Sequence, residues 1–306
     1  MGGRKRKGRL INGILLIDKP VGLSSNDTLQ RVKRLYQARK AGHTGSLDRL
    51  ASGLLPVCLG EATKLSGFLL NADKRYRAQF RLGIKTSTGD AEGEVVESRP
   101  VPTLSETDLE QALANFRGEI QQIPPMHSAI KHQGQRLYKL AHQGITVERK
   151  PRQVTIHEYT LLGLEADLLE VEIFCSKGTY VRMLAEDLGE LLGCGASVQS
   201  LRRTASGPFS GEQMLDLATL AQVAVKGLDE LDGLLHPMES ALGHWPQVHL
   251  PEGVAFYLRA GQPVLVPHSP TEGWVCIMGE HERFLGVGEV LDDGRIAPRR
   301  LIQGNG

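Results

Sequence analysis

Cysteine pairs are absent from this chain. The four cysteines it has (Cys58, Cys175, Cys194 and Cys276) stand far apart and form no C-x-x-C motif. That spacing excludes a disulfide framework and argues against structural zinc, and it fits reduced, buried thiols. Ten histidines are scattered without an H-E-x-x-H or H-x3-H spacing, so no metal centre is expected. Aromatic residues are few, at 5%, which singles out those beside polar motifs. No apolar run approaches the roughly 18 residues of a membrane span. The basic N-terminus is followed by a short apolar stretch, Leu10 to Ile17, which Asn12 and Gly13 interrupt and Asp18 ends. This is not the pattern of a signal peptide, so the expected location is the cytoplasm, and the sequon Asn26-Asp27-Thr28 has no secretory context.

Net charge is only +1 over 306 residues, so charge as a whole does not announce a nucleic-acid partner. Its distribution is more informative. Arg4, Lys5, Arg6, Lys7 and Arg9 form a basic arm; Arg31, Lys33, Arg34, Arg39 and Lys40 crowd the next segment; Arg149, Lys150 and Arg152 form a third cluster. Patches of this kind contact phosphates while acids elsewhere balance the total. Each cluster by itself reads more readily as a solvated charged face or, in the arm, as a disordered tail.

The periodicities predict an α+β fold with a mixed or antiparallel sheet. Strands are expected over 13–18, 74–83, 154–162, 168–175 and 196–204, with 94–98 as a partner of 74–83. Helices are expected over 26–36 (capped by Ser24 or Ser25), 61–70, 105–117 and 180–192, the last ended by Gly193. Residues 123–152 open with Pro124-Pro125, are polar, and read as an excursion from the sheet with a short helix at 137–142. From about residue 248 the chain changes character: one helix at 253–259, then short β-like runs at 263–266, 274–278, 284–290 and 295–297. Residues 248–306 are therefore expected to form a small β-barrel after a larger domain of 1–247.

The sharpest local feature is the loop Gly42-His43-Thr44-Gly45-Ser46-Leu47-Asp48, where two glycines bring a histidine and a carboxylate together. Read alone, Asp48 is more often a turn or capping residue than a catalyst. The surrounding motifs change that balance. With Gly53-Leu54-Leu55-Pro56 and Gly60-Glu61-Ala62-Thr63-Lys64, the loop resembles the signature of the TruB-type tRNA pseudouridine synthases. The same resemblance extends over Asp18-Lys19-Pro20-Val21-Gly22-Leu23-Ser24-Ser25, Asp73-Lys74-Arg75-Tyr76, Ile123-Pro124-Pro125-Met126-His127-Ser128-Ala129, Lys177-Gly178-Thr179-Tyr180-Val181-Arg182 and Leu201-Arg202-Arg203-Thr204. The tail, with Gly286-Val287-Gly288-Glu289 and Pro298-Arg299-Arg300-Leu301, is similar to a PUA domain, a small RNA-binding barrel.

The resemblance implies a cofactor-free, metal-free isomerase that converts uridine to pseudouridine in the T-loop of tRNA, at position 55. It implies Asp48 as the catalytic carboxylate, paired with Arg182 in a pocket that keeps water out, and Tyr76 packed on the target uracil. Tyr180 and Leu201 would line the uridine pocket, and His43 would fill the space a flipped nucleotide leaves. Residues 123–152 would grip the RNA, the C-terminal barrel would extend contact toward the acceptor stem, and the protein would act as a monomer.

This sequence departs from the family pattern at three places: Arg49 follows the aspartate where proline is usual, Ser52 stands for threonine, and Met183 follows Arg182 where threonine is frequent. Arg49 loosens one φ angle of the loop and adds a cation beside Asp48. The alternative from a different class is a non-catalytic tRNA-binding protein on the same scaffold. An i+4 ion pair of Arg182 with Glu186 is the ordinary alternative to its pairing with Asp48. The lack of a G-x-S-x-G elbow and the five-residue spacing of His43 and Asp48 in one loop argue against a serine hydrolase, and the lack of a third glycine after Gly288 and of a Walker loop argues against a nucleotide-binding enzyme.

Overall fold

The computed structural model describes residues 8–243 and 245–303, so the part of the basic arm from Arg4 to Lys7 lies outside the described residues. In chain order the first elements are β1 (Gly13–Lys19), α1 (Ser25–Leu35), β2 (Ala41–His43), β3 (Ser52–Leu59), α2 (Ser66–Asn71), β4 (Lys74–Leu82), β5 (Ile84–Thr86), β6 (Val95–Ser98), α3 (Glu106–Ala114) and β7 (Gly118–Gln122). An excursion follows, with β8 (Lys131–His132), β9 (Gln135–Arg136) and α4 (Leu137–His142). The chain continues through β10 (Arg152–Glu165), β11 (Leu168–Cys175), α5 (Val181–Leu191), β12 (Ala196–Ser206), β13 (Phe209–Ser210), β14 (Leu215–Asp216), α6 (Leu217–Lys226) and α7 (Leu228–Asp232). It closes with β15 (Gln247–His249), α8 (Glu252–Arg259), β16 (Trp274–Met278), β17 (Phe284–Val290) and β18 (Ile296–Leu301).

Ten strands form one mixed sheet, ordered β14-β1-β3-β12-β4-β11-β10-β7, with β2 paired to β3 and β13 to β12. Apolar alternation explains its layers. Ile14 and Leu16 of β1 face one core and Leu15 and Ile17 the other, so both faces are covered. Helices α3 and α5 pack on the β4–β11–β12 region, with Leu109, Leu113, Leu184 and Leu188 meeting Phe80, Val171, Ile173 and Val198. Helix α1 begins where sequence expects it, because Ser24 caps it and Asp27 completes a capping box.

One row across the sheet positions the site. Gly53 on β3 lies opposite Arg203 on β12, Arg203 opposite Tyr76 on β4, and Tyr76 opposite Ile173 on β11. Gly53 has φ +97°, and a Cβ there would stand 2.3 Å from the Arg203 carbonyl oxygen, so only glycine allows the approach.

The structure corrects several sequence expectations. Strand β6 pairs with β5 in a separate hairpin and not with β4, because both edges of β4 are already taken by β11 and β12. The helix expected over 61–70 is divided into a 3₁₀ turn, Gly60–Lys64, and α2. There the Thr63 and Ser66 hydroxyls donate to the carbonyls of Gly60 (2.7 Å) and Thr63 (2.8 Å), capturing acceptors near the break. Strand β3, which the periodicities do not predict, contains Pro56, a residue that normally argues against a central strand. The Pro56 carbonyl accepts from Thr44 N–H at 3.1 Å on the side away from β1, so its missing N–H falls in the gap between the β12 and β2 pairings.

Residues 123–152 do leave the sheet. They depart at Gln122 and return at Arg152, which is paired with it in register. The C-terminal segment is small and β-rich as expected, but its four strands lie in open order β15-β16-β17-β18, with no pairing between the two edges among the described residues. The run at 263–266 contributes one bridge, Val264 to Ile296, and no strand. One face of this small sheet carries Val275, Ile277, Leu285 and Ile296 against α8. The other carries Cys276, Met278, Phe284 and Val287 into the same core as Ile14, Leu16 and Leu54. No helix among the described residues is long and apolar enough to cross a membrane.

Candidate active site

The loop 44–51 bridges β2 and β3, and its backbone is tied down at almost every residue. Arg203, only 1% exposed, reaches under it, donating from Nε to the Leu54 carbonyl (2.6 Å) and from Nη2 to that of Gly45 (3.1 Å). Lys19, fully buried, donates from Nζ to the carbonyls of Ala51 (2.6 Å) and Pro20 (2.8 Å). Gly22 N–H donates to the Arg49 carbonyl at 2.8 Å, so the residue after Asp48 is anchored even without a proline. Burial pushes the Lys19 ammonium down to about 8, against the pull of nearby Asp48.

Arg182, in the first turn of α5 and 6% exposed, meets this loop from the other side. Its Nη2 lies 3.0 Å from Asp48 Oδ2. The same nitrogen donates to the His127 carbonyl (2.8 Å), Nη1 donates to the Thr88 carbonyl (3.0 Å), and Nε lies 3.6 Å from buried Asp90. The ion pairs of Arg182 therefore go to Asp48 and Asp90, not to Glu186 one turn on. Asp90 is in turn held by the Thr88 hydroxyl at 2.6 Å and the Glu92 N–H at 3.1 Å.

Asp48, Tyr76, Tyr180, Arg182 and Leu201 line one cavity of about 530 Å³. Lys74 and Arg203 form part of its wall, and His127, Ser128, Arg136 and Tyr138 enter from the excursion. Burial raises the Tyr76 phenol above its ordinary value, with the Arg203 guanidinium opposing the shift, so its hydroxyl is neutral at physiological pH. Burial likewise raises that of Tyr180. Lys74 is pushed down to about 8 by burial and by Arg203; its Nζ sits among the carbonyls of Leu69, Leu70 and Ala72 at the end of α2.

Five of the six residues singled out in sequence are thus brought together. His43 is not. It ends β2, half-buried and off the cavity lining, with a buried Nδ1 that has no hydrogen-bond partner among the described residues. Burial, then Arg203, lowers its imidazole below the usual range. The expectation of a pocket closed to water is also corrected: 52% of the Asp48 side chain is exposed, because the described residues supply no cover over that carboxylate. Sequence reasoning missed Asp90, which sits in an ordinary-looking Thr88-Gly89-Asp90 turn. It also missed Lys74 and Arg203 as cavity residues, although both stand inside quoted motifs. Among the described residues, no group of three or more His, Cys, Asp or Glu side chains is placed to hold a metal ion.

Three family models match between residues 33 and 302. One described as "TruB family pseudouridylate synthase (N terminal domain)" matches residues 33–181. The "tRNA pseudouridylate synthase B C-terminal domain" matches 182–243, and "Pseudouridine synthase II TruB, C-terminal" matches 246–302. A curated tRNA pseudouridine synthase B of Nitrosococcus oceani is 58% identical over 299 residues, 98% of this chain and 97% of its own. The chain belongs to the TruB family. A second TruB relative, the tRNA pseudouridine synthase B of Pseudomonas aeruginosa, is 55% identical over 300 residues, covering 98% of each chain. Among solved structures, a chain of a Cbf5-Nop10-Gar1 complex superposes with a TM-score of 0.75 at 27% identity, covering 95% of this TruB-family chain and 84% of its own. A chain of an H/ACA RNP bound to a substrate RNA containing 2'-deoxyuridine has the same fold, with a TM-score of 0.75 at 23% identity.

Proposed function

We propose that this protein is a tRNA pseudouridine synthase that isomerises the T-loop uridine at position 55, with Asp48 as its catalytic carboxylate. The observation that carries the reading is the Asp48–Arg182 pair, at 3.0 Å, in a cavity shared with Tyr76 and Tyr180. The reaction breaks the bond between ribose C1′ and uracil N1 and forms one from C1′ to C5. The hydrogen on C5 leaves as a proton, and N1 gains one, so no water, oxidant or co-substrate is consumed. A carboxylate fits either route to bond cleavage, by balancing positive character at the sugar or by attacking as a nucleophile. Arg182 sets a positive charge 3.0 Å from that carboxylate.

The remaining residues fall into place around that step. The Tyr76 ring offers a face for the flipped uracil, as aromatic side chains commonly do, and its neutral hydroxyl is a proton carrier within reach of the base. Tyr180 and Leu201 complete the slot. His43, which does not line the cavity, takes over the stack the nucleotide vacates. The bound RNA supplies the missing cover over the half-exposed carboxylate, which keeps the detached uracil from being lost to water. Residues 123–152 grip the T-arm, with Arg136 and Tyr138 at the cavity wall. Residues 248–306 act as a PUA-like module on a catalytic domain of 1–247, working as a monomer on folded tRNA by shape and phosphate contacts.

A tRNA transcript carrying tritium at C5 of its uridines tests this reading. The protein should release one equivalent of tritium per tRNA, without added metal or cofactor and in the presence of chelator. Stable binding with no release would assign it instead to the non-catalytic class.

A further inference from the structure

Two buried polar side chains outside the cavity hold the two halves of the Asp48–Arg182 pair by the same device. Ser25, 3% exposed, is the first residue of α1. Its hydroxyl accepts from the Leu47 N–H at 2.8 Å and donates to the Leu47 carbonyl at 3.1 Å. Gln122, 2% exposed, is the last residue of β7. Its side-chain oxygen accepts from the Tyr180 N–H at 2.8 Å, and its side-chain nitrogen donates to the Tyr180 carbonyl at 3.1 Å. Each side chain thus satisfies both main-chain groups of one residue, as a neighbouring strand would. Leu47 directly precedes Asp48, and Tyr180 is the N-cap residue of α5, two before Arg182, with no side-chain cap bond.

We infer that Ser25 and Gln122 are positioning residues that set the distance and angle between Asp48 and Arg182. The inference rests on the proposed function, since it deepens the account of that same site. A single hydrogen bond leaves a peptide free to rotate about it, whereas two bonds to one residue fix both its place and its plane. Among the described residues no other side chain supplies this at Leu47, and Tyr180 has no side-chain cap of its own. The main chain of Gln122 pairs with Arg152, so it stands where the 123–152 excursion leaves and rejoins the sheet.

The test compares Ser25→Ala, Ser25→Thr and Gln122→Leu with the unaltered full-length protein on a tRNA transcript. Turnover, tRNA Kd and thermal midpoint are measured for each. Activity of the unaltered protein is required first; without it the proposed function fails, and the positioning roles fail with it. Misplacement of reacting groups by fractions of an ångström costs rate and not affinity, so kcat should fall by about tenfold to a hundredfold in Ser25→Ala and Gln122→Leu. Kd should stay within about twofold, because neither residue lines the cavity. Ser25→Thr, which keeps the donor and the acceptor, should recover most of the rate. Folded variants with unaltered kcat would overturn the inference. So would losses of kcat that follow the fraction unfolded, or a Ser25→Thr variant as impaired as Ser25→Ala.

Discussion

Arg182 reaches Asp48 with a nitrogen that is already committed elsewhere: Nη2 lies 3.0 Å from the Asp48 carboxylate while donating to the His127 carbonyl at 2.8 Å. Its other donors are engaged by Thr88 and Asp90. The guanidinium is therefore fixed independently of the carboxylate it faces, and it presents a charge at a set place.

This makes Arg182 intolerant of lysine. An ammonium lacks the fork geometry needed to serve Thr88, His127, Asp48 and Asp90 together. Arg182→Lys should lose at least about a hundredfold in turnover. Arg182→Met should in addition lose about 3–5 kcal/mol of stability, because it strands buried Asp90 without a cation. Turnover assays and urea melts on both variants check this. A Met variant as stable as the parent would show that Asp90 is satisfied by Thr88 and Glu92 alone.

For Tyr76 the ring and the hydroxyl can be separated. Tyr76→Phe should bind tRNA with unchanged affinity and turn over at least about a hundredfold more slowly if the hydroxyl carries a proton. Single-turnover kinetics with saturating protein decide it. A fully active phenylalanine variant would leave the ring alone as the contribution of this residue.

Lys74 predicts a pH dependence of stability. Its ordinary pKa is 10.5 and burial lowers it to about 8 in the folded chain. Between those values the unfolded chain holds a proton the folded one has released, so this group's contribution to stability rises with pH across that window. Below about pH 8 the folded chain must bury the charge. Relative to Lys74→Met, the parent should thus become progressively more stable from pH 8 toward 10. Melts of the pair at several pH values read the difference and cancel the opposing titration of the buried thiols. A constant difference would mean that Lys74 titrates normally.

The C-terminal sheet gives a fourth prediction. Cys276, Met278, Phe284 and Val287 share a core with Ile14, Leu16 and Leu54. Cutting the chain before Gln247 should therefore uncover the back of β1 and β3, lower the thermal midpoint and create dye-binding apolar surface. Truncation is for that reason a poor probe of RNA contact. A truncated chain that melts like the parent would show that the two sheets are independent.

Much of this was legible in sequence, and the exceptions have physical causes. Strand β1 and helix α1 were readable because a buried apolar run and a capping box are local signals. Strand β3 was hidden by Pro56, whose tolerance depends on a gap between two partners distant in sequence. Helix α6 carries a clear cap, Asp216 accepting from the Ala218 and Thr219 N–H groups at 2.8 Å, but its Ala- and Val-rich body lacks a plain polar stripe and was left unassigned. At the site, Asp48 and Arg182 were found through motif order. Asp90, Ser25 and Gln122 were not, because their importance lies in what they touch far along the chain (Arg182, Leu47 and Tyr180), and residue type alone does not report it.

The most direct test of the central claim uses an unmodified T-arm hairpin, incubated with the parent protein and with Asp48→Asn and mapped nucleotide by nucleotide for pseudouridine. The account predicts one pseudouridine, at the T-loop uridine corresponding to position 55, with the parent. With Asp48→Asn it predicts none, a loss of at least about a thousandfold, at near-normal affinity. Substantial pseudouridine formation by Asp48→Asn, or modification at a different uridine by the parent, would contradict it.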